Sequence, residues 1–148
     1  MRRGVRYGVD VGKARVGIAR SDMDGLMAVP SETYPREDAV ELLLGVSKSI
    51  EILEWVVGLP RTLDGRETPS TTDARDFAIA LVAATGVPAR LVDERLSTVS
   101  AQASLHDANH SVKSSRSVID QVAATILLQT ALDAERAGSM LGEMLEVS

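Results

Sequence analysis

The chain contains no cysteine, which excludes a disulfide, a thiolate nucleophile and a Cys-ligated zinc site. Aromatic residues make up only 3% of it, and Tyr7, Tyr34, Trp55 and Phe77 form no exposed-looking pair, which argues against a base-stacking binder of the OB or RRM kind. His106 and His110 stand at a zinc-protease spacing, but the glutamate of that motif is missing. No apolar run approaches the length of a membrane span and the N-terminus lacks a signal-peptide core, so the expected location is the cytoplasm. Excess positive charge is also lacking. A net charge of −5 excludes general polyanion binding by bulk charge, although Arg2, Arg3, Arg6, Lys13, Arg15 and Arg20 crowd one end of the chain.

With 148 residues, 45% apolar and 25% charged, the chain has the length and composition of one globular domain with a real core. Two short apolar runs, residues 5–11 and 16–19, are joined by Gly12-Lys13-Ala14-Arg15 and read as a β-hairpin. The glycine spacing and the strand that follows exclude a P-loop. Asp10 lies inside the first run, where a carboxylate is costly unless it is hydrogen-bonded, paired or bound to a metal.

Downstream, residues 31–34 can add a third strand, 37–50 a helix, and 52–59 a buried strand stopped by Pro60. A polar loop over 61–67 precedes a helix opened by Pro69, with Ser70 and Asp73 resembling a capping box and Gly86 and Pro88 as its stop. Residues 89–92 read as a strand, 97–107 as a helix capped by Ser97, 108–115 as a mobile loop and 117–136 as the last helix. Residues 1–138 are expected to form one domain, with 139–148 a loosely held tail. The order implies an α/β fold: a mixed five-stranded sheet, antiparallel in the hairpin and parallel through the crossovers, with helices on both faces. Ligands of such sheets bind outside the strand ends.

Asp10 and Glu94 both leave strands at that rim, and Asp120 opens the last helix, which can pack against it. Each acid has an ordinary alternative: Asp10 as a turn former, Glu94 as a partner of Arg95, Asp120 as a complement to the helix dipole. Together, three carboxylates on separate rigid elements suit hard cations such as Mg²⁺ or Mn²⁺. Two such ions can activate a water and stabilise the leaving oxygen of a phosphodiester. Lys13, Arg15, Arg61 and Arg95, with Lys113 and Arg116 in the loop before the last helix, are candidates to grip a nucleic-acid backbone. A solvated hairpin tip is the plain alternative for Lys13 and Arg15, and a structural strand stop for the segment ending in Arg61.

The motifs Gly8-Val9-Asp10-Val11-Gly12-Lys13-Ala14-Arg15-Val16-Gly17, Val57-Gly58-Leu59-Pro60 with Asp64-Gly65, Asp93-Glu94-Arg95-Leu96-Ser97-Thr98, and Val118 to Gln129 around Asp120 run in one order along nearly the whole chain. In this the chain resembles the YqgF (RuvX) family of small bacterial nucleases with a ribonuclease H-like fold. Ala14 departs from the pattern, standing where the family often carries a basic or polar residue. The resemblance implies Asp10, Glu94 and Asp120 as a metal-binding acidic triad, with Asp93 a neighbouring acid. It also implies maturation of the 5′ end of 16S ribosomal RNA in the cytoplasm. Cleavage of branched, four-way DNA is the competing expectation, and nucleic-acid binding without catalysis a further one. A nucleotide-binding phosphotransferase opens with a similar strand–Asp–turn, but such proteins need a second lobe for which this length leaves no room. Monomer and homodimer are both compatible with the sequence.

Overall fold

The computed structural model describes residues 1–96 and 112–146, with the side chains of all but 112–118. The expected helix over 97–107, His106 and His110 therefore lie outside the described residues. Strands β1 (Val5–Val11), β2 (Arg15–Ser21) and β3 (Ala28–Pro35) form an antiparallel meander, followed by a 3-10 turn and helix α1 (Ala39–Ser49). Strand β4 (Ile52–Leu59), helix α2 (Pro69–Thr85) and strand β5 (Ala89–Asp93) come next, then a 3-10 turn over Glu94–Leu96. Helix α3 (Val112–Arg136) and strand β6 (Glu143–Leu145) complete the chain.

The sheet order is β3-β2-β1-β4-β5-β6, with β1, β4 and β5 parallel and β6 antiparallel to β5. There are six strands, not the expected five, because the segment beyond Gly138 turns back onto the sheet edge. Three residues are too few to leave a periodic signal. They are fixed by long-range ties, including the Arg90 guanidinium donating to the Leu141 carbonyl at 3.1 Å.

Alternation along the strands splits the core in two. Tyr7, Val9, Ile18, Trp55, Val57 and Leu91 point towards α1 and α2, where they meet Leu43, Phe77 and Leu81. Trp55 is core, as its setting in an apolar strand implies; its ring nitrogen donates to Thr85 Oγ1 at 3.0 Å. Ala19, Val56 and Val92 point the other way, onto Ala124, Leu127 and Leu128 of α3. Helix α3 lies close on this face because Gly8 and Gly17 present no side chain to it. A Cβ on Gly8 would stand 2.6 Å from the Ala124 carbonyl oxygen, and one on Gly17 would collide with that of Asp120.

Two helix starts differ from expectation. Helix α2 is capped by Thr68, in a reciprocal box with Thr71, and not by Ser70. Helix α3 already includes Val112, the first described residue of this segment, so Asp120 lies beyond the first turn, and Lys113 and Arg116 are helical instead of lying in a preceding loop. The serines at 114, 115 and 117 blur the apolar period, but no Gly or Pro interrupts the helix.

At the amino ends of β1, β4 and β5, the reverse end from Asp10, charged residues interlock under the C-terminal segment. Arg90 and Arg2 both bind Glu54, while Arg6 and Arg2 both bind Glu135, with Arg6 to Glu135 at 2.6 Å. Arg6, Glu54 and Arg90 are buried. The network joins the N-terminus, the start of the sheet and the end of α3.

Candidate active site

Asp10 is the penultimate residue of β1, half-buried, and its flanking strands each contribute a glycine beside it. Gly17 is its partner across β2, and on the other side the register Val9 to Val57 brings Gly58 level with it. Both glycines are gaps that another carboxylate's element fills. Asp120 of α3 packs its backbone on Gly17, and the Glu94 side chain lies over Gly58, where a Cβ would stand 2.6 Å from Glu94 Oε1. Asp10, Glu94 and Asp120 are thereby brought together at the carboxyl rim of the parallel strands.

Burial pushes the Asp10 carboxyl well above the usual carboxylate range, the hydrogen bond it makes with the Glu94 carboxyl pushes it further, and the negative charges of Glu94 and Asp120 act in the same direction. Asp120 is turned to a cation instead, accepting from Arg15 Nε at 2.9 Å. Among the described residues no three His, Cys, Asp or Glu side chains are gathered at ligand spacing. The donor set nevertheless fits a hard divalent cation: every donor is a carboxylate oxygen, and a bound cation would offset both the burial of Asp10 and the repulsion among the three acids.

The cationic candidates divide. Lys13 is exposed at the β1–β2 turn and makes no ion pair among the described residues, whereas Arg15 is bound to Asp120. Arg61 and Arg95 are taken up by Asp93, at 3.8 and 2.6 Å. The Arg95 hydrogen bonds hold the Asp93 carboxyl below its usual range, so Asp93 is a charged anchor for two arginines, not a partner of Glu94. Arg95 also donates to the Leu63 carbonyl and Arg61 to that of Gly65, which pins the β4–α2 loop beside Glu94. The side chains of Lys113 and Arg116 lie outside the described residues. Gly17 and Gly58 were not picked out by sequence reasoning. The available signal was a glycine within a strand, which marks close approach of another element.

The family model for RuvX, described as Holliday junction resolvase, matches residues 4–134. The chain belongs to the RuvX family. A relative from Clavibacter michiganensis subsp. michiganensis is 54% identical over 150 residues, covering 98% of this chain and 93% of that protein. One from Leifsonia xyli subsp. xyli is 52% identical over 142 residues (94% and 92%), and one from a Nocardioides species 48% over 154 residues (99% and 99%). All three RuvX relatives bear the provisional name pre-16S rRNA nuclease. Among solved structures, Thermus thermophilus RuvC superposes with a TM-score of 0.58 at 15% identity, covering 93% of this chain and 98% of that one. The same protein in complex with a Holliday junction substrate gives 0.55 at 14% identity, covering 93% and 99%. That likeness shows the ribonuclease H-like fold. Among the described residues no helix is long and apolar enough to cross a membrane.

Proposed function

We propose that this protein is a divalent-metal-dependent nuclease that hydrolyses phosphodiester bonds of precursor 16S ribosomal RNA in the cytoplasm, with Asp10, Glu94 and Asp120 as its acidic centre. The observation that carries this reading is the placing of Glu94 over Gly58 and of Asp120 on Gly17, on either side of Asp10, at the rim of the sheet and next to a turn bearing Lys13 and Arg15. Close relatives named as pre-16S rRNA nucleases support RNA as the substrate.

Mg²⁺ or Mn²⁺ held by these three carboxylates would activate the attacking water and stabilise the leaving oxygen. The chain's own residues do the rest. Burial keeps the Asp10–Glu94 pair dry enough to prefer a counter-charge. Arg15 orients Asp120 and stands where a guanidinium can turn to a phosphate. Lys13, in no ion pair among the described residues, offers a point charge to the backbone next to the cleaved bond. Asp93 keeps Arg61 and Arg95 in register with the loop that borders Glu94.

The test compares the wild-type protein and Asp10→Asn on precursor ribosomal RNA and on a synthetic four-way DNA junction, with Mg²⁺, Mn²⁺ or a chelator. Cleavage of the RNA by the wild type that needs the divalent ion, and falls about a thousandfold or more in the variant, is the expected result. Equal rates for the two proteins would refute the assigned centre. Preference for the junction would reassign the substrate, and tight binding with no product would remove the catalytic reading.

A further inference from the structure

The β1–β2 turn, Gly12 to Ala14, carries Lys13 and joins the strand of Asp10 to that of Arg15, yet its own internal support is slight. Within it the Gly12 amide donates to the Arg15 carbonyl at 2.9 Å. Two further bonds come from one residue outside the hairpin. The Arg36 backbone amide donates to the Ala14 carbonyl at 2.9 Å, and Arg36 Nη1 donates to the Gly12 carbonyl at 3.0 Å. Arg36 follows β3 directly, and its guanidinium is itself fixed. It forms a two-pronged pair with Asp73 in the first turns of α2, at 2.9 and 2.8 Å, and stacks over the Phe77 ring at 5.2 Å.

Lys13, Ala14, Pro35, Arg36 and Glu37 line an open cleft of about 310 Å³ on the outer side of the turn. Glu37 shares this cleft with Lys13, and Asp73 is close enough for the charge of Lys13 to act on it. Hydrogen bonds from Arg36 hold its carboxyl below the usual range, and the charge of Lys13 adds to that. Asp73 thus feels two cations, and Arg36 binds it. A guanidinium fork outcompetes a single ammonium for a planar carboxylate, because it makes two parallel hydrogen bonds in a preset geometry.

We propose that Arg36 is a positioning residue: it braces the β1–β2 turn and keeps Asp73 off Lys13, so that Lys13 stays available to a phosphate of the nucleic acid. Removing the guanidinium does two things at once. It frees the Gly12 carbonyl, loosening the turn, and it releases Asp73 to capture Lys13. The second effect predicts an unusual rescue. Deleting the Asp73 charge in the Arg36 variant returns Lys13 to the substrate, although it removes one more native side chain.

The inference rests on the nuclease reading for its kinetic part only, so the experiment has two arms. In the first, hydrogen exchange of the turn amides is followed in the wild type and in Arg36→Ala, with no metal or nucleic acid. Exchange at Gly12 is expected to quicken about tenfold or more in the variant, beyond any change in the β4 amides. Unchanged exchange at Gly12 would overturn the brace whether or not the protein cuts RNA. In the second, KM and kcat for RNA cleavage are measured for Arg36→Ala, Arg36→Lys and Arg36→Ala/Asp73→Asn. The expected pattern is a KM raised about five- to tenfold in Arg36→Ala with a much smaller change in kcat, partial recovery in Arg36→Lys, and recovery of KM in the double variant. A double variant with a KM no better than Arg36→Ala, or losses in kcat that track the melting temperature, would reduce Arg36 to a structural residue and overturn the proposal.

Discussion

Gly58 and Gly45 show how differently two glycines can answer to the same substitution. Gly45 lies exposed in α1, where an added Cβ meets nothing, so Gly45→Ala should raise stability by about 0.5–1 kcal/mol through helix propensity, read as a higher urea midpoint. At Gly58 the same methyl would stand 2.7 Å from Glu94 Cγ, in a strand whose backbone cannot retreat. Gly58→Ala is expected to fold but to push Glu94 off Asp10. The Mg²⁺ concentration giving half-maximal thermal stabilisation should then rise about tenfold, the scale of losing a ligand's support. An unchanged Mg²⁺ titration would mean that Glu94 does not belong to the centre. Asp10 itself is held against its own desolvation, so Asp10→Asn should melt a few degrees higher than the wild type without divalent ions, roughly 3 °C for each kcal/mol, and should show no Mg²⁺-induced shift.

Among the elements, the charged network behind the sheet makes the sharpest forecast. Burial pushes the Glu135 carboxyl up, but hydrogen bonds from Arg2 and the charges of Arg6 and Arg2 outweigh it and hold it below the usual range. A carboxylate with a depressed folded-state pKa stabilises the fold fully above its unfolded value, and that stability drains away as pH falls through the folded value. Unfolding free energy should therefore begin to drop in the wild type as pH falls to the ordinary glutamate value of about 4.3, and keep dropping below it. Glu135→Gln should lose about 3 kcal/mol at pH 7 and show a flatter acid limb, in urea titrations at several pH values. This network also explains part of what the sequence hides. Strands β1, β2, β4 and β5 and helices α1 and α2 announce themselves through valine-rich runs, proline and glycine stops and apolar spacing. Strand β6 does not, because it depends on Arg90 and the edge of β5 more than on its own residues. The start of α3 is masked by serines that are weak helix formers yet not breakers. Asp10 stands out in the sequence as a lone carboxylate in an apolar strand. The gaps at Gly17 and Gly58 are visible there too, but not what fills them, since Asp120 and Glu94 arrive from far along the chain. Arg61 and Arg95 look like free cations until Asp93 is seen between them.

On the scale of the whole molecule, the charge balance governs how nucleic acid is met. The chain carries a net charge of −5, and the rim arginines are already committed: Arg15 to Asp120, Arg36 to Asp73, Arg61 and Arg95 to Asp93. Phosphates arriving at such a surface displace few counterions, because each paired arginine must give up a carboxylate before it can take a phosphate. Lys13 is in no ion pair among the described residues, and Arg15 becomes free if Asp120 turns to a cation. For single-stranded RNA the logarithm of the binding constant changes with the logarithm of salt by about −0.7 per phosphate contact, so two contacts give a slope of about −1.4. We expect a slope between about −1 and −2 for a labelled oligoribonucleotide bound by Asp10→Asn, a variant expected to bind without cutting, and a value nearer zero by about 0.7 after Lys13→Gln is added. A slope of about −4 or steeper would mean that the internal arginine pairs open wholesale to the substrate. Divalent ions should tighten binding at fixed ionic strength in the wild type, because the acidic centre otherwise repels the phosphate it must receive, and should do so less when Asp10 is asparagine.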